Sequence, residues 1–153
     1  MTETETALQA LIAALNASAD LPTVRRSALL DDILEEMDTE DAVSRALVLQ
    51  DGDADMNVDE METGLGAGRF FLAHQAELEW IVAARDGDDL ARIFDAGLEA
   101  IAAVIESDRT LSGAVELADL RTPPERGLEV AGARPAKTAR IIVTLEFQSA
   151  RPF

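Results

Sequence analysis

RFFLAHQAELEWIVAA, residues 69–84, alternates over its whole length. Phe70, Leu72, His74, Ala76, Leu78, Trp80 and Val82 share one side, and Gln75, Glu77 and Glu79 share the other. A period of two sustained this far predicts one long strand with a single buried face. TARIIVTLEFQS, 138–149, repeats the pattern, with Ile141, Val143, Leu145 and Phe147 against Arg140, Thr144, Glu146 and Gln148. This last strand should pair with 69–84 or with a shorter strand near 114–121. ALVLQ, 46–50, is a further apolar run, closed by the Asp51-Gly52 turn signal.

Between these strands the period changes. From Asp88 to Asp108, Leu90, Ile93, Phe94, Leu98, Ile101, Val104 and Ile105 form a helical stripe wide enough to cover a sheet. Thr2-Glu3-Thr4-Glu5 has the form of a capping box and leads into Leu8, Leu11, Ile12 and Leu15, which predicts an N-terminal helix ending before Leu21-Pro22. Residues 27–37 suggest a short helix with Leu29, Leu30, Ile33 and Leu34 on one side. TPPERG, 122–127, reads as a loop, and 51–68 and 122–137 as flexible connections. The expected fold is α+β: a mainly antiparallel sheet of about four strands packed against one long helix plus the N-terminal helix, in one domain spanning 1–153.

The 153 residues suffice to close one core without a staple. There is no cysteine, so thiol nucleophiles, zinc thiolate sites and disulfides are excluded together. Thirteen basic residues against thirty acidic ones leave a formal charge of −17, which opposes wrapping nucleic acid, because that affinity comes from neutralising phosphates. The polar, acidic start MTETET and the lack of an apolar run of about 20 residues predict an unprocessed, soluble chain with no membrane span.

DGDADMNVDEME, 51–62, fits part of a calcium loop: Asp51, Asp53, Asp55, Asp59 and Glu62 fall at positions 1, 3, 5, 9 and 12. Position 6, which requires glycine for its sharp turn, is Met56, and the flanks are strand-like and loop-like where helices are needed. The stretch therefore reads as an acidic turn, with no metal expected. His74 is the sole histidine and lies on the apolar face, which favours a hydrogen-bonded core or interface residue over a catalytic base. TGLGAG, 63–68, does not link a strand to a helix as a phosphate loop does. Glu77 and Glu79 are two acids on an exposed face, and Trp80 belongs to the core. No enzyme, cofactor or catalytic residue is read from the chain.

The order of these pieces resembles a known family, the tail terminator (tail completion or minor tail) proteins of long-tailed bacteriophages and phage-like gene transfer agents. The resemblance covers about residues 5–153 and rests on a helix ending at LP, on LVLQDGD, FFLAHQAELEWIV and ESDRTLSGAVE, and on the closing TARIIVTLEFQSARPF. Asp108 to Gly113, DRTLSG, is its most specific phrase. Ser112 stands where a second glycine is common in the family, and Gln148-Ser149 where an aromatic-x-Thr ending is frequent.

The resemblance implies a structural virion protein that forms a hexameric ring on the head-proximal end of the tail tube. Its partners would be further copies of itself, the major tail (tube) protein and a head-tail connector or stopper, with DNA only passing through the lumen, past its surplus of acid. Its place would be the virion's head-tail joint, after assembly in a bacterial host's cytoplasm. Candidate contacts are two arms: Asp51, Gly52, Asp53, Gly64, Gly66 and Gly68 in one, and Arg151, Pro152 and Phe153 in the other. The alternatives are another head-tail joining or neck protein, a small acyl-transfer enzyme, or a calcium-binding module.

Overall fold

A computed structural model describes residues 1–50 and 70–151. The long alternating stretch is a strand, β3 (Phe70–Ala84), and its partner along almost its full length is the last strand, β6 (Arg134–Ser149). They run antiparallel from Phe70 opposite Ser149 to Ala83 opposite Ala136. β2 (Val43–Gln50) lies antiparallel on the other side of β3, and β1 (Val24–Arg26) lies parallel to β2. Beyond β6, its C-terminal part takes β4 (Leu117–Asp119) and its N-terminal part takes β5 (Glu125–Ala131). The fold is α+β, and the described residues form a mixed sheet of six strands where about four were expected.

The two added strands have clear causes. β1 is held where the side chain of Asn16, at the end of α1 (Glu3–Asn16), accepts the Val24 N–H at 2.8 Å. β5 falls within the stretch expected to be a flexible loop. It forms a hairpin with β6 through Gly132-Ala133, where Gly132 takes φ +64 as the first central residue of a tight turn. The closing strand accordingly begins at Arg134, four residues before the expected start.

Three helices cover the sheet. α1 begins as the capping box predicts, with the Thr2 hydroxyl accepting the Glu5 N–H, and buries Ala7, Leu8, Leu11 and Leu15. α3 (Gly87–Ser107) is capped by Asp86, whose carboxylate accepts the N–H groups of Asp88 and Asp89 at 2.9 Å. Both helices share one large core with Leu72, Ala76, Leu78, Trp80 and Val82 of β3 and Ile141, Val143, Leu145 and Phe147 of β6.

The opposite face is not uniformly polar as the alternation implied. α2 (Leu30–Glu36) lays Ile33 and Leu34 over it, and with Met37 they bury Ala46, Val48, Ile81, Ala83, Ala131 and Ala136 in a second, smaller core. Leu29, expected on the buried side of this helix, instead precedes its first turn and is exposed. Arg134 closes the second core. Its buried guanidinium donates to the carbonyls of Met37 and Asp41 and to the Ser44 hydroxyl, tying the α2–β2 connection to the start of β6.

The larger core depends on one close approach. Trp80 is fully buried and donates its indole N–H to the Phe94 carbonyl at 3.1 Å, while its ring lies flat against Gly97 on the buried stripe of α3. A Cβ at residue 97 would fall inside the indole ring. Gly97→Ala therefore gains helix propensity of about 1 kcal/mol and loses more by forcing helix and sheet apart. We expect a net loss of about 2 kcal/mol, read as a lower urea midpoint; a midpoint at or above wild type would show that the Trp80–Gly97 contact yields freely.

Candidate functional site

The first candidate arm, with Asp51, Gly52, Asp53, Gly64, Gly66 and Gly68, and the full calcium set of Asp51, Asp53, Asp55, Asp59 and Glu62 lie outside the described residues, as do Pro152 and Phe153. What the structure gives is where these segments join the fold. Phe70, the first described residue after the acidic segment, is paired with Ser149, and the chain continues from there to Arg151, which is exposed and donates its N–H to the Ser149 hydroxyl. The N-terminus reaches the same place, since Met1, Thr2 and Glu3 line a hollow together with Ser149, Ala150 and Arg151. The C-terminal arm and the point where the chain returns from the acidic segment thus meet the sheet at one end, while the chain enters that segment from Gln50, opposite Glu77 and midway along β3.

The opposite end differs in shape and chemistry. There Ala84, Val43 and Arg134 finish the three long strands, α2 and the Gly132 turn cover them, and the Asp38 carboxylate fills the space beside Gly132 where a side chain would stand.

His74 sits on the core face opposite Leu145 and is buried, with both ring nitrogens lacking a hydrogen-bond partner among the described residues. The hydrogen bond expected of this ring is made by none of the described residues. Loss of water on burial holds its pKa below the ordinary histidine value, so the ring stays neutral. Glu77 is not a solvated acid either: it is partly buried and ion-paired with Arg140 across the sheet, while Glu79 lies 3.5 Å from the Gln50 amide.

The phrase Asp108 to Gly113 is a built turn. The Asp108 carboxylate accepts the Thr110 hydroxyl and the Ser112 N–H at 2.7 Å and the Thr110 N–H at 3.0 Å, and in that order of cause, hydroxyl first, these donors hold its pKa below the ordinary carboxylate value. Leu111, Ser112 and Gly113 follow one another at positive φ, which reverses the chain behind α3 and tucks Leu111 into the core. Arg109 then reaches Asp119 at 2.8 Å, fixing β4 beside the turn. The most specific phrase of the sequence thus does structural work, setting the register of β4 on β6.

Among the described residues, no group of three or more histidines or carboxylates is arranged to hold a metal, and no helix is long and apolar enough to cross a membrane. No family model matches this chain, and no curated protein matches it significantly.

The sequence reading missed one surface altogether. Arg126, Leu128, Val130 and Lys137 lie in the stretch taken for a loop, yet β5 and β6 present them together on the α3 side of the sheet. The available signal was Gly132-Ala133, a tight hairpin turn flanked by two extended runs.

Two outcomes follow from this geometry. Ser112 has φ +60, a conformation that costs an L-residue about 1–2 kcal/mol and glycine little, so Ser112→Gly should raise stability by about 0.5 kcal/mol after the unfolded chain's extra freedom is deducted. A lower melting temperature for the variant would contradict it. For His74, the unfolded chain binds a proton near pH 6.5 while the folded ring resists, so stability is lost as pH falls below about 6.5, until the folded ring itself protonates. His74→Leu should lack that part of the loss when urea midpoints are compared down the pH scale; parallel profiles for the two proteins would rule the histidine out as a cause.

Proposed function

We propose that this chain is a subunit of a ring that caps the head-proximal end of a phage-type tail tube, stops its polymerisation and forms the joint to the head connector. The observation that carries this reading is the difference between the two ends of the sheet: Ser149, Arg151 and the N-terminus gather beside Phe70 at one, and α2 and the Gly132 turn cover the other. A ring that ends a stack must bind the stack's open end without presenting a copy of that end itself. A subunit whose two ends differ meets that condition. The order of phrases shared with tail terminators, from the helix ending at LP to the closing strand, supports the same reading.

In this reading six copies close into a ring through head-to-tail contacts, the tube protein meets one face and the connector the other. The excess of acid, −17 per chain, also suits a lumen through which DNA passes without sticking, since like charge at close range repels phosphate.

The test is the solution mass by light scattering across concentration, with negative-stain images taken in the absence and presence of tube protein. A particle of about six subunits, or rings that form on tube ends and halt their growth, is the expected result. A strict monomer that leaves tube growth unchanged would overturn the reading. Removing residues 151–153 should weaken ring formation while leaving the melting temperature within about 1 °C, because Arg151 is exposed and chain ends tolerate truncation best where the affected backbone is exposed. Rings of undiminished yield from the truncated chain would exclude that arm from the interface.

A further inference from the structure

β5 is an edge strand: within the described sheet it pairs with β6 alone, so the backbone N–H and C=O groups on its outer side face no strand. Alternation divides its side chains. Ala131 belongs to the core under α2, which places Glu125, Gly127 and Glu129 on that side and Arg126, Leu128 and Val130 on the side of α3. Leu128 is 76% exposed and Val130 64% exposed, two of the few large apolar side chains left in water. Leu128 lines a hollow together with Phe94, Arg126, Gly127 and Lys137.

Two cations stand over the floor of this hollow. The Arg126 guanidinium lies 5.9 Å and the Lys137 ammonium 5.7 Å from the centre of the Phe94 ring, and neither forms an ion pair among the described residues. The ring attracts each of them, but it cannot cancel their mutual repulsion. In a chain carrying −17, two neighbouring cations without a carboxylate, beside exposed apolar side chains on an open strand edge, make a surface with a definite complement.

We propose that the outer edge of β5 binds an extended acidic segment of a partner protein as an added strand, with its carboxylates at Arg126 and Lys137 and its alternate apolar side chains against Leu128 and Val130. The main chain of such a segment satisfies the open edge, and its side chains meet the surface at the strand's own period of two. The charges favour this occupant over a nucleic acid, because a polyanion as a whole is repelled by the surrounding acid while a short segment meets only the local cations. This inference goes beyond the ring reading and does not depend on it.

The test uses the full chain and a labelled peptide of β5's own length that alternates Glu and Val, followed by fluorescence anisotropy. A Lys-Val peptide of the same length, an N-methylated Glu-Val peptide and an oligothymidylate serve as comparisons. The Glu-Val peptide should bind, and its affinity should fall at least about tenfold in Arg126→Glu/Lys137→Glu and in Leu128→Ser/Val130→Ser, both of which alter surface side chains only. Thermal melting checks that the variants remain folded. Lys137 is the chain's only lysine, so carbodiimide treatment of the complex should place an amide cross-link between it and a peptide glutamate, located by mass spectrometry.

Equal binding of the Glu-Val and Lys-Val peptides, or binding indifferent to the charge reversal or to N-methylation, would overturn the proposal. So would binding of the oligothymidylate in place of the peptide. A dimer in light scattering that is lost in Leu128→Ser/Val130→Ser would also overturn it, by assigning the edge to a second copy of the chain.

Discussion

Everything in this fold hangs on the register between β3 and β6. The fourteen residue pairs from Phe70–Ser149 to Ala83–Ala136 place Leu72, Ala76, Leu78 and Trp80 on the same side as Ile141, Val143, Leu145 and Phe147. A slip of one residue would turn every one of those side chains toward the other face and bring Glu77 and Glu79 into the large core. β2 pairs with β3, and both β4 and β5 pair with β6, so these two strands carry between them every other strand of the described sheet except β1. The register also fixes where α3 can sit. Trp80 must lie under the one residue of the helix without a side chain, and its indole N–H must reach the Phe94 carbonyl, so a single aromatic residue sets the position of helix on sheet.

Where the sequence was legible, the same physics made it so. β3 and β6 are long and central, and one of their faces is covered along the whole length, so their composition alternates cleanly. α3 is long enough for its stripe to repeat over several turns. β5 was not legible because its face toward α3 is left largely open by the described residues: Arg126, Leu128 and Val130 mix charge with apolar residues, as an open edge does, and only Ala131 is buried. β1 is three residues long, too short for any period to show, and its place comes from a side chain of the preceding helix. The second core was hidden for another reason. Ile81 and Ala83 are small in number and sit at the end of an otherwise polar face, where only the tertiary position of α2 makes them interior.

The candidate site was legible to a lesser degree. Asp108 to Gly113 stood out in sequence because a carboxylate that accepts three hydrogen bonds and a run of three positive φ angles restricts which residues are tolerated. That restriction concerns the turn and not a ligand. His74 and the Glu77/Glu79 pair attracted notice as chemical types, and their surroundings came only with the structure: the ring is buried on the core face, where loss of water holds its pKa below the ordinary value, and the pair is engaged by Arg140 and Gln50. Alternation could say which face each occupied but not what stood opposite.

The distribution of cations explains how so acidic a chain holds together and why one surface stands apart. Arg26 clamps Glu5 and so ties β1 to α1, Arg25 ties the same strand to Glu36 of α2, and Arg121 and Arg140 bind Glu146 and Glu77 along the sheet. Exposed pairs of this kind contribute little singly, about 0–1 kcal/mol each, but they consume positive charge locally and leave the rest of the surface negative. Arg134 is buried, with its two terminal nitrogens donating to the Asp41 and Met37 carbonyls, so it offers no charge to a partner. Arg126 and Lys137 break this pattern at the end of the sheet away from the C-terminal arm, where Lys137 is level with Val82 and Leu128. That separation keeps the two surfaces independent: Lys137 stands twelve residues along β6 from Ser149, so a contact made at the Phe70–Ser149 end leaves the edge of β5 open to an acidic segment of another protein.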